Sequence, residues 1–197
     1  MTIDSNDMLN SILDSISRID YVRPGNIPEL DLYMDQVITL MDAQLKSSKR
    51  YDDDKILTKT MINNYVKNNL LPPPEKKKYS KDHVLALIFI YYFKNIIPIK
   101  DIETLLLPLM KKYFHTTDDF DLSALYDEIC AMQKSRVSSL QDELKSLYEM
   151  SDSSCAGAKA EDADQLQLFT FICSLSFDVY VKKLLIEKLI DQISNDK

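Results

Sequence analysis

The sequence predicts an all-α protein, and three observations support this fold class. Glycine, which the tight turns of hairpins favour, occurs only twice in 197 residues. Apolar residues recur at intervals of three and four positions along most of the chain, a spacing that places them on one side of a helix. Prolines and polar segments separate these periodic stretches, as is typical of loops between helices. With 45% apolar and 28% charged residues, the chain is long enough to bury a substantial core.

Five helices are predicted in the first 118 residues. Their ranges are Asp4–Asp20, Asp31–Ser47, Lys59–Asn68, Lys81–Asn95 and Ile99–Phe114. Thr58 and Ser80 are placed to cap the third and fourth helices, and Asn69 is suited to end the third in a left-handed conformation. Pro108 lies inside the fifth helix and should kink or split it, because proline has no backbone N–H to donate. The fourth helix is apolar on most sides, which predicts a central core element.

Two long helices are predicted after residue 118. The first begins near Asp119 and continues for about thirty residues, with one slip in its apolar spacing near Ser135. Ser151–Asp164 is rich in small and acidic residues and is expected to be a flexible linker. The final helix, Ala163–Ile193, is apolar on nearly all sides as far as Val181. Such helices either fold back onto the N-terminal half or bury their apolar stripe against a second copy. The two are not exclusive, and we expect a homodimer through the C-terminal helices.

The composition excludes several kinds of catalytic and cofactor site. Two glycines cannot supply a dinucleotide-binding loop, a phosphate-binding loop or a nucleophile elbow. His83 and His115 are too far apart in sequence for a zinc-binding helix. Cys130, Cys155 and Cys173 are odd in number and lack paired spacing, so we expect reduced thiols. We therefore predict no catalytic residues, no cofactor and no metal, and a protein that is not an enzyme.

The same reasoning predicts a cytoplasmic protein with no membrane partner. The longest apolar run, Val84–Phe93, has ten residues, whereas about 20 are needed to cross a bilayer. The N-terminal residues show neither the basic nor the apolar region of a secretory signal.

The charge is distributed unevenly along the chain. The net charge is −7, but the segment Lys46–Lys81, here called the basic segment, contains ten basic and four acidic residues. It therefore carries +6, and the remainder carries −13. Such asymmetry indicates an anionic partner for one part of the chain only, although a lysine-rich run can also be merely a solvated surface.

The third predicted helix lies within the basic segment and suits the groove of a nucleic acid. Its predicted outer side carries Lys59, Thr60, Asn63, Asn64 and Lys67. Asparagine can pair with adenine through two hydrogen bonds, and lysine contacts phosphate or guanine. After it, Pro72–Pro74 forms a stiff strut that presents Lys76, Lys77 and Lys78 near the same surface. We expect these eight residues to contact double-stranded DNA.

This region resembles two families. The run from Thr58 to Pro73, Thr-x-Thr-Met-Ile-x-x-Tyr-x-x-x-x-Leu-Leu-Pro-Pro, followed by Tyr79-Ser80, is similar to the recognition helix, wing and next helix of MerR-type regulators. Across 32–107 the chain resembles more closely an uncharacterised bacterial family, a domain of unknown function. The motifs of that family are Leu-Tyr-Met-Asp-Gln-Val, here 32–37, and Leu-Thr-Lys-Thr-Met-Ile-Asn-Asn-Tyr, here 57–65.

The resemblance implies a winged-helix-like transcriptional regulator with two domains. Residues 1–118 would form the MerR-like helix-turn-helix domain, and 119–197 a helical region for dimerisation and regulation. Thr60 and Asn63 fall where these regulators place DNA-contacting arginines. The chain departs from the pattern in three places. Asn69 replaces a glycine, Glu75–Lys78 is shorter than a usual wing, and the loop Lys46–Leu57 is longer than usual.

Two functions remain open at this point. The first is a DNA-binding transcriptional regulator, whose effector the sequence does not identify. The alternative is an all-α protein–protein interaction module on a helix-turn-helix scaffold, which the acidic remainder of the chain and the shortened wing favour.

Overall fold

The computed structural model describes residues 5–17, 22–153, 157 and 159–195. These residues are mostly helical, which confirms the predicted all-α class. The helices are α1 (Ser5–Ser17), α2 (Met34–Gln44), α3 (Lys59–Lys67), α4 (Lys81–Phe93), α5 (Ile99–Tyr113), α6 (Leu122–Ser135), α7 (Val137–Ser153) and α8 (Ala163–Asn195). Two short strands, β1 (Leu32–Tyr33) and β2 (Lys78–Tyr79), form an antiparallel pair. The predicted ends of the first helix, and Cys155, lie outside the described residues.

The described residues form two compact units. The first contains α1, α7 and α8 as far as Ile186, and the second contains 22–131 with the end of α8 from Glu187. In the first unit, Leu9 and Leu13 of α1 pack with Tyr148 of α7 and Phe171 of α8. The sequence predicted a helix-turn-helix domain, 1–118, and a region for dimerisation and regulation, 119–197. These two regions are defined by their expected roles, and the division stays a prediction.

Helix α4 provides the centre of the second unit. Every side chain from His83 to Tyr91 is buried, because a helix that is apolar on all sides is stable in water only when other elements surround it. It contacts α2, α5 and β2. The predicted role of this helix as the core element is therefore confirmed.

The start of α2 differs from the prediction of a helix from Asp31. Leu32 and Tyr33 form strand β1 and pair with Tyr79 and Lys78, and the helix begins only at Met34. The backbone N–H of Tyr33 donates to Gln36 Oε1 at 2.8 Å, which caps the helix at this point.

Helix α3 begins and ends as the sequence predicted. The N–H of Met61, in its first turn, donates to Thr58 Oγ1 at 3.2 Å, and Asn69 has a φ of 58° just after the helix. Ile62 and Tyr65 are buried against the unit. In the loop before α3, the carbonyl oxygen of Ile56 accepts a hydrogen bond from Lys94 Nζ at 3.1 Å. The buried side of α3 and the loop before it are thus held to the core, and local backbone geometry ends the helix.

Pro108 does not split the fifth predicted helix, because α5 is continuous from Ile99 to Tyr113; the kink predicted as the other outcome stays a prediction. Pro108 is exposed, so a carbonyl that loses its helical partner there can bond to water. The prediction of one helix of about thirty residues after Asp119 was wrong: the structure has two helices, α6 and α7, separated at Arg136. The break falls beside the slip in apolar spacing near Ser135. The apolar residues before and after that slip would lie on different sides of one straight helix, and two helices allow each set to face the interior. The predicted linker is helical as far as Ser153, and Ala160–Asp162 form a 3-10 turn.

Candidate nucleic-acid interface

Helix α3 exposes all five of the side chains predicted to contact DNA. They are Lys59, Thr60, Asn63, Asn64 and Lys67, and each is exposed. At about 100° per residue, these positions lie within an arc of about 140° around the helix. The buried residues Ile62 and Tyr65 occupy the other side. One polar face of a well-capped helix is therefore available to a partner.

The segment Glu75–Lys78, here called the lysine turn, is a tight hairpin turn. The N–H of Lys78 donates to the carbonyl oxygen of Glu75 at 2.8 Å. Its two central residues, Lys76 and Lys77, have φ values of 48° and 67°, the pattern of a type I′ turn, in which asparagine and glycine are preferred. For lysine each left-handed residue costs about 1 kcal/mol or more. Strain of this kind persists mainly where function requires the side chains.

Residues at the start of α2 connect the lysine turn to α3. Lys59 Nζ pairs with Asp35 Oδ1 at 2.6 Å, and Lys78 Nζ lies 5.5 Å from the centre of the Tyr33 ring. Tyr33 and Asp35 are two residues apart, so the N-terminal end of α3 and the lysine turn lie beside the same short segment. The lysine turn and α3, which the sequence analysis expected near one surface, each have a residue in contact with this segment.

The ion pairs show which basic side chains remain available to a partner. Lys49 pairs with Asp42 at 2.6 Å and Lys81 with Glu29 at 2.7 Å, so these cations are already neutralised, as is Lys59. Within the part of the chain that the structure describes, neither Lys76 nor Lys77 forms an ion pair, and both are exposed. The lysine turn therefore offers a partner two exposed cations, Lys76 and Lys77, that pair with no described carboxylate.

Both histidines of the chain meet directly after β2. Ser80 donates its backbone N–H to His83 Nδ1 at 3.0 Å, and its Oγ lies 2.8 Å from that nitrogen and 2.8 Å from His115 Nε2. His83 Nε2 lies 3.4 Å from the carbonyl oxygen of Pro73. One assignment of protons satisfies all four contacts: His115 Nε2–H donates to Ser80, Ser80 O–H to His83 Nδ1, and His83 Nε2–H to Pro73.

This chain of hydrogen bonds requires a neutral His83. Burial lowers the pKa of His83 below its ordinary value of 6.5, and the nearby charge of His115 lowers it further, although the Pro73 carbonyl and Asp82 act in the opposite direction. The neutral ring ties the proline strut to the start of α4, on either side of the lysine turn. The histidines therefore hold the base of the turn.

A pocket of about 220 Å³ lies beside the C-terminal end of α3. It is lined by Asn69, Leu70, Leu71, Pro72, Pro73, Glu103, Leu107, Met110 and Lys111. A ligand in it would contact both the segment that ends α3 and helix α5.

Sequence reasoning missed three residues that shape this surface, Tyr33, Asp35 and His115. Tyr33 and Asp35 fall in a stretch whose helical spacing concealed the two-residue strand β1. His115 lies 32 positions from His83 in the sequence. Its backbone has a left-handed φ of 54°, and its N–H donates a hydrogen bond to Asp82 Oδ2 at 2.7 Å. Each depends on a contact between distant segments, for which the sequence carries no local signal.

The described residues also bear on metal binding, thiol chemistry and membrane insertion. Among them, no group of three or more His, Cys, Asp or Glu side chains is placed to hold a metal ion. Neither Cys130 nor Cys173 forms a disulfide with another described residue. In the ranges that the structure describes, no helix combines the length and the apolar character needed to cross a membrane.

The fold and the surface define a mostly helical protein whose second unit presents a capped polar helix beside a basic hairpin turn. Residues 22–129 match a family described as "Domain of unknown function (DUF1836)". The match covers 108 of the 197 residues, more than half, and the chain belongs to this family. The expectation of an uncharacterised domain family is thereby confirmed. No curated protein and no solved structure matches the chain.

Proposed function

We propose that the protein is a DNA-binding transcriptional regulator that places α3 in the major groove, in the manner of a MerR-like helix-turn-helix with a shortened wing. One observation carries the proposal. The polar face of α3 and the unneutralised lysines of the lysine turn lie beside the same segment, Tyr33–Asp35. In this proposal the protein acts in the cytoplasm, and 119–197 serves dimerisation and regulation.

Each group has a chemical role in this proposal. Asn63 and Asn64 read base edges, since an asparagine side chain can bond twice to adenine. Lys67 and the lysine turn contact phosphates, which supply most of the affinity but little sequence information. An α-helix such as α3 is about 10–12 Å across with its side chains, which fits a major groove about 12 Å wide. The lysine turn would follow the backbone beside the groove.

The ion pair between Lys59 and Asp35 limits this surface. Both side chains are more than half exposed, at 63% and 74%, so the pair contributes little to stability. A phosphate that approaches α3 would compete with Asp35 for the same ammonium group. In this proposal, Asp35 weakens non-specific binding, because a phosphate can contact Lys59 only if the ion pair with Asp35 is broken, and contacts to the correct bases must compensate for that loss.

The test is binding of the full-length chain to short labelled duplexes over a series of salt concentrations. We expect log affinity to fall with log salt at a slope of about −0.9 for each phosphate neutralised. A variant with Lys76, Lys77 and Lys78 changed to Glu should lose most of its affinity and flatten the slope by up to about 2.7.

The matched control changes Lys100, Lys134 and Lys145 to Glu. These exposed lysines lie on α5, α6 and α7, so the control has the same net charge as the test variant and should bind DNA nearly as the native chain does. An equal loss of DNA affinity in both variants would mean that the loss follows from net charge and not from the lysine turn. No binding near about 50 mM salt would contradict DNA recognition by the free protein.

The second candidate is a protein–protein interaction module on the same scaffold. The net charge of −7 and the ion pair between Lys59 and Asp35 favour it, since the first repels a polyanion such as DNA and the second neutralises a cation of α3. In that case, the lysine turn would bind an acidic segment of a protein. An acidic peptide that binds as tightly as any duplex, and whose binding the same triple Glu variant abolishes, would favour this candidate.

A further inference from the structure

The pocket beside the C-terminal end of α3 has two walls, both within the second unit. One face of α5 forms the first wall, with the residues Glu103, Leu107, Met110 and Lys111. At about 100° per residue, these positions lie within an arc of about 100° around the helix. The segment Asn69–Pro73, which follows α3, forms the second wall. We call this cavity the α5 pocket.

The α5 pocket has the size and the lining of a site for a small organic molecule. Its volume of about 220 Å³ lies between that of an apolar cavity that takes up benzene, roughly 150 Å³, and that of sites for drug-sized ligands. A molecule of roughly ten non-hydrogen atoms would therefore fill it. Its walls include Leu70, Leu71 and Met110, which are buried, together with Leu107 and two prolines. The body of a ligand in this pocket should therefore be apolar.

The polar groups of the α5 pocket favour a positively charged ligand. Glu103 is half-buried, and it forms no ion pair with any residue that the structure describes. Pro72 and Pro73 have no backbone N–H, so their backbone can only accept hydrogen bonds. A carboxylate and backbone carbonyl groups match an ammonium group, which donates three hydrogen bonds and accepts none.

Lys111 also lines the α5 pocket, but its charge lies away from Glu103. The two residues are eight positions apart on α5, about 12 Å along the helix axis, with Leu107 between them. Lys111 is exposed and belongs to the last turn of α5, where the helix dipole favours a cation. A cationic ligand would therefore place its charge near Glu103 and its apolar body against Leu107.

We propose that the α5 pocket binds a small organic cation, an amine whose apolar body has about eight carbon atoms. The ammonium group bonds to Glu103, and the body packs against Leu107 and Met110. The ligand also contacts the segment that leads from α3 to Pro73, whose carbonyl oxygen lies 3.4 Å from His83 Nε2 at the base of the lysine turn. A role in regulating DNA binding rests on the proposed function, whereas binding of the amine does not, and its test uses no DNA.

The test compares three probes that have the same number of carbon atoms and differ in charge. Phenylethylamine is a cation, phenylethanol is neutral and phenylacetate is an anion. Calorimetric titration of the full-length chain should give a Kd below about 1 mM for the amine, and binding at least about tenfold weaker for the alcohol and the anion.

Glu103→Gln is the test variant, and it should bind the amine only as tightly as it binds the alcohol. The alcohol should bind this variant as it binds the native chain, which shows that the pocket is still formed. Glu128→Gln is the matched control, since it makes the same change on α6, outside the pocket. This control should keep the native preference for the amine.

The methyl group of Met110 reports where the ligand binds. Met110 lines the α5 pocket and is 8% exposed, and its NMR signal in methionine-labelled protein is the one that Met110→Leu lacks. The amine should shift this signal in the native chain and in Glu128→Gln, and shift it less in Glu103→Gln at the same concentration. A native chain that binds none of the probes up to about 10 mM, or that binds the alcohol or the anion as tightly as the amine, would overturn the proposal. Amine binding that leaves the Met110 signal unchanged would overturn it as well.

Discussion

Lys76 and Lys77 occupy backbone conformations that their side chains disfavour. Replacing them with Asn and Gly, the preferred residues of a type I′ turn, relieves two left-handed lysines. We expect the free energy of unfolding to rise by about 1 to 2 kcal/mol, which urea titration would measure. The same variant should bind DNA more weakly, with a slope reduced by up to about 1.8, because two cations are lost.

The control for this prediction is the change of Lys76 and Lys77 to Gln. It removes the same two charges but keeps a side chain at each left-handed position. Its stability should stay within about 0.5 kcal/mol of the native value, whereas its loss of DNA affinity should equal that of the Asn-Gly variant. Equal stability in the two variants would show that the turn is not strained.

The buried ring of His83 predicts a dependence of stability on pH. Because its pKa in the folded chain is lowered below 6.5, the unfolded chain binds more protons between these two pKa values. The contribution of His83 to stability is therefore complete above pH 6.5 and is lost as the pH falls below that value. The measurement is the free energy of unfolding at several pH values between about 5 and 8.

His83→Gln is the matched variant, since glutamine at the third position of a capping box can still accept the N–H of Ser80. This variant should lose less stability than the native chain as the pH falls through the same range. Identical slopes for the two proteins would mean that His83 does not account for the pH dependence.

At the scale of elements, the sequence predicted those helices and helix ends that depend only on residues close together in the chain. Helix α3 could be predicted at both ends, because Thr58 and Asn69 act through local backbone geometry. Helix α4 could be predicted from its composition alone. Strand β1 could not, since two residues give no period, and its pairing with Tyr79 joins segments more than forty positions apart. For the same reason, the exposed polar residues of α3 could be predicted from the sequence, whereas the contact of Lys59 with Asp35 could not.

The pairing of α2 with α3 through that contact gives a prediction of increased binding. Asp35→Asn removes a carboxylate beside α3 and releases Lys59. We expect DNA affinity to rise and the salt slope to steepen by about 0.9, the effect of one further phosphate contact. Stability should change by less than about 1 kcal/mol, because the pair is exposed.

Asp42→Asn is the control, since it makes the same change of charge near the other end of α2 and releases Lys49. It should steepen the slope less than Asp35→Asn does. If both variants gain equally, the effect reflects total charge, and Asp35 does not restrain α3 in particular.

For the whole molecule, charge and apolar surface are placed in different units. The basic segment lies entirely within the second unit, whereas α8 as far as Ile186, with exposed apolar side chains such as Phe169, Phe177 and Tyr180, belongs to the first. In the proposed function, one chain with a net charge of −7 has a single α3 and a single lysine turn to attract DNA against the repulsion of its acidic residues. Two copies joined through α8 would present two such surfaces to one duplex and so double the number of phosphate contacts.

This arrangement predicts that affinity depends on duplex length only while the dimer is intact. On a duplex with two half-sites about 10 base pairs apart, the native chain should bind as two copies. The variant with Phe177→Glu and Tyr180→Glu should bind the same duplex at least about 100-fold more weakly, since its second contact is no longer intramolecular. On a duplex with one half-site, the two proteins should differ little, because only one α3 is engaged in either case. Titrations of both duplexes with both proteins measure this difference, and an equal loss on the short duplex would mean that the substitutions act on α3 itself and not through dimerisation.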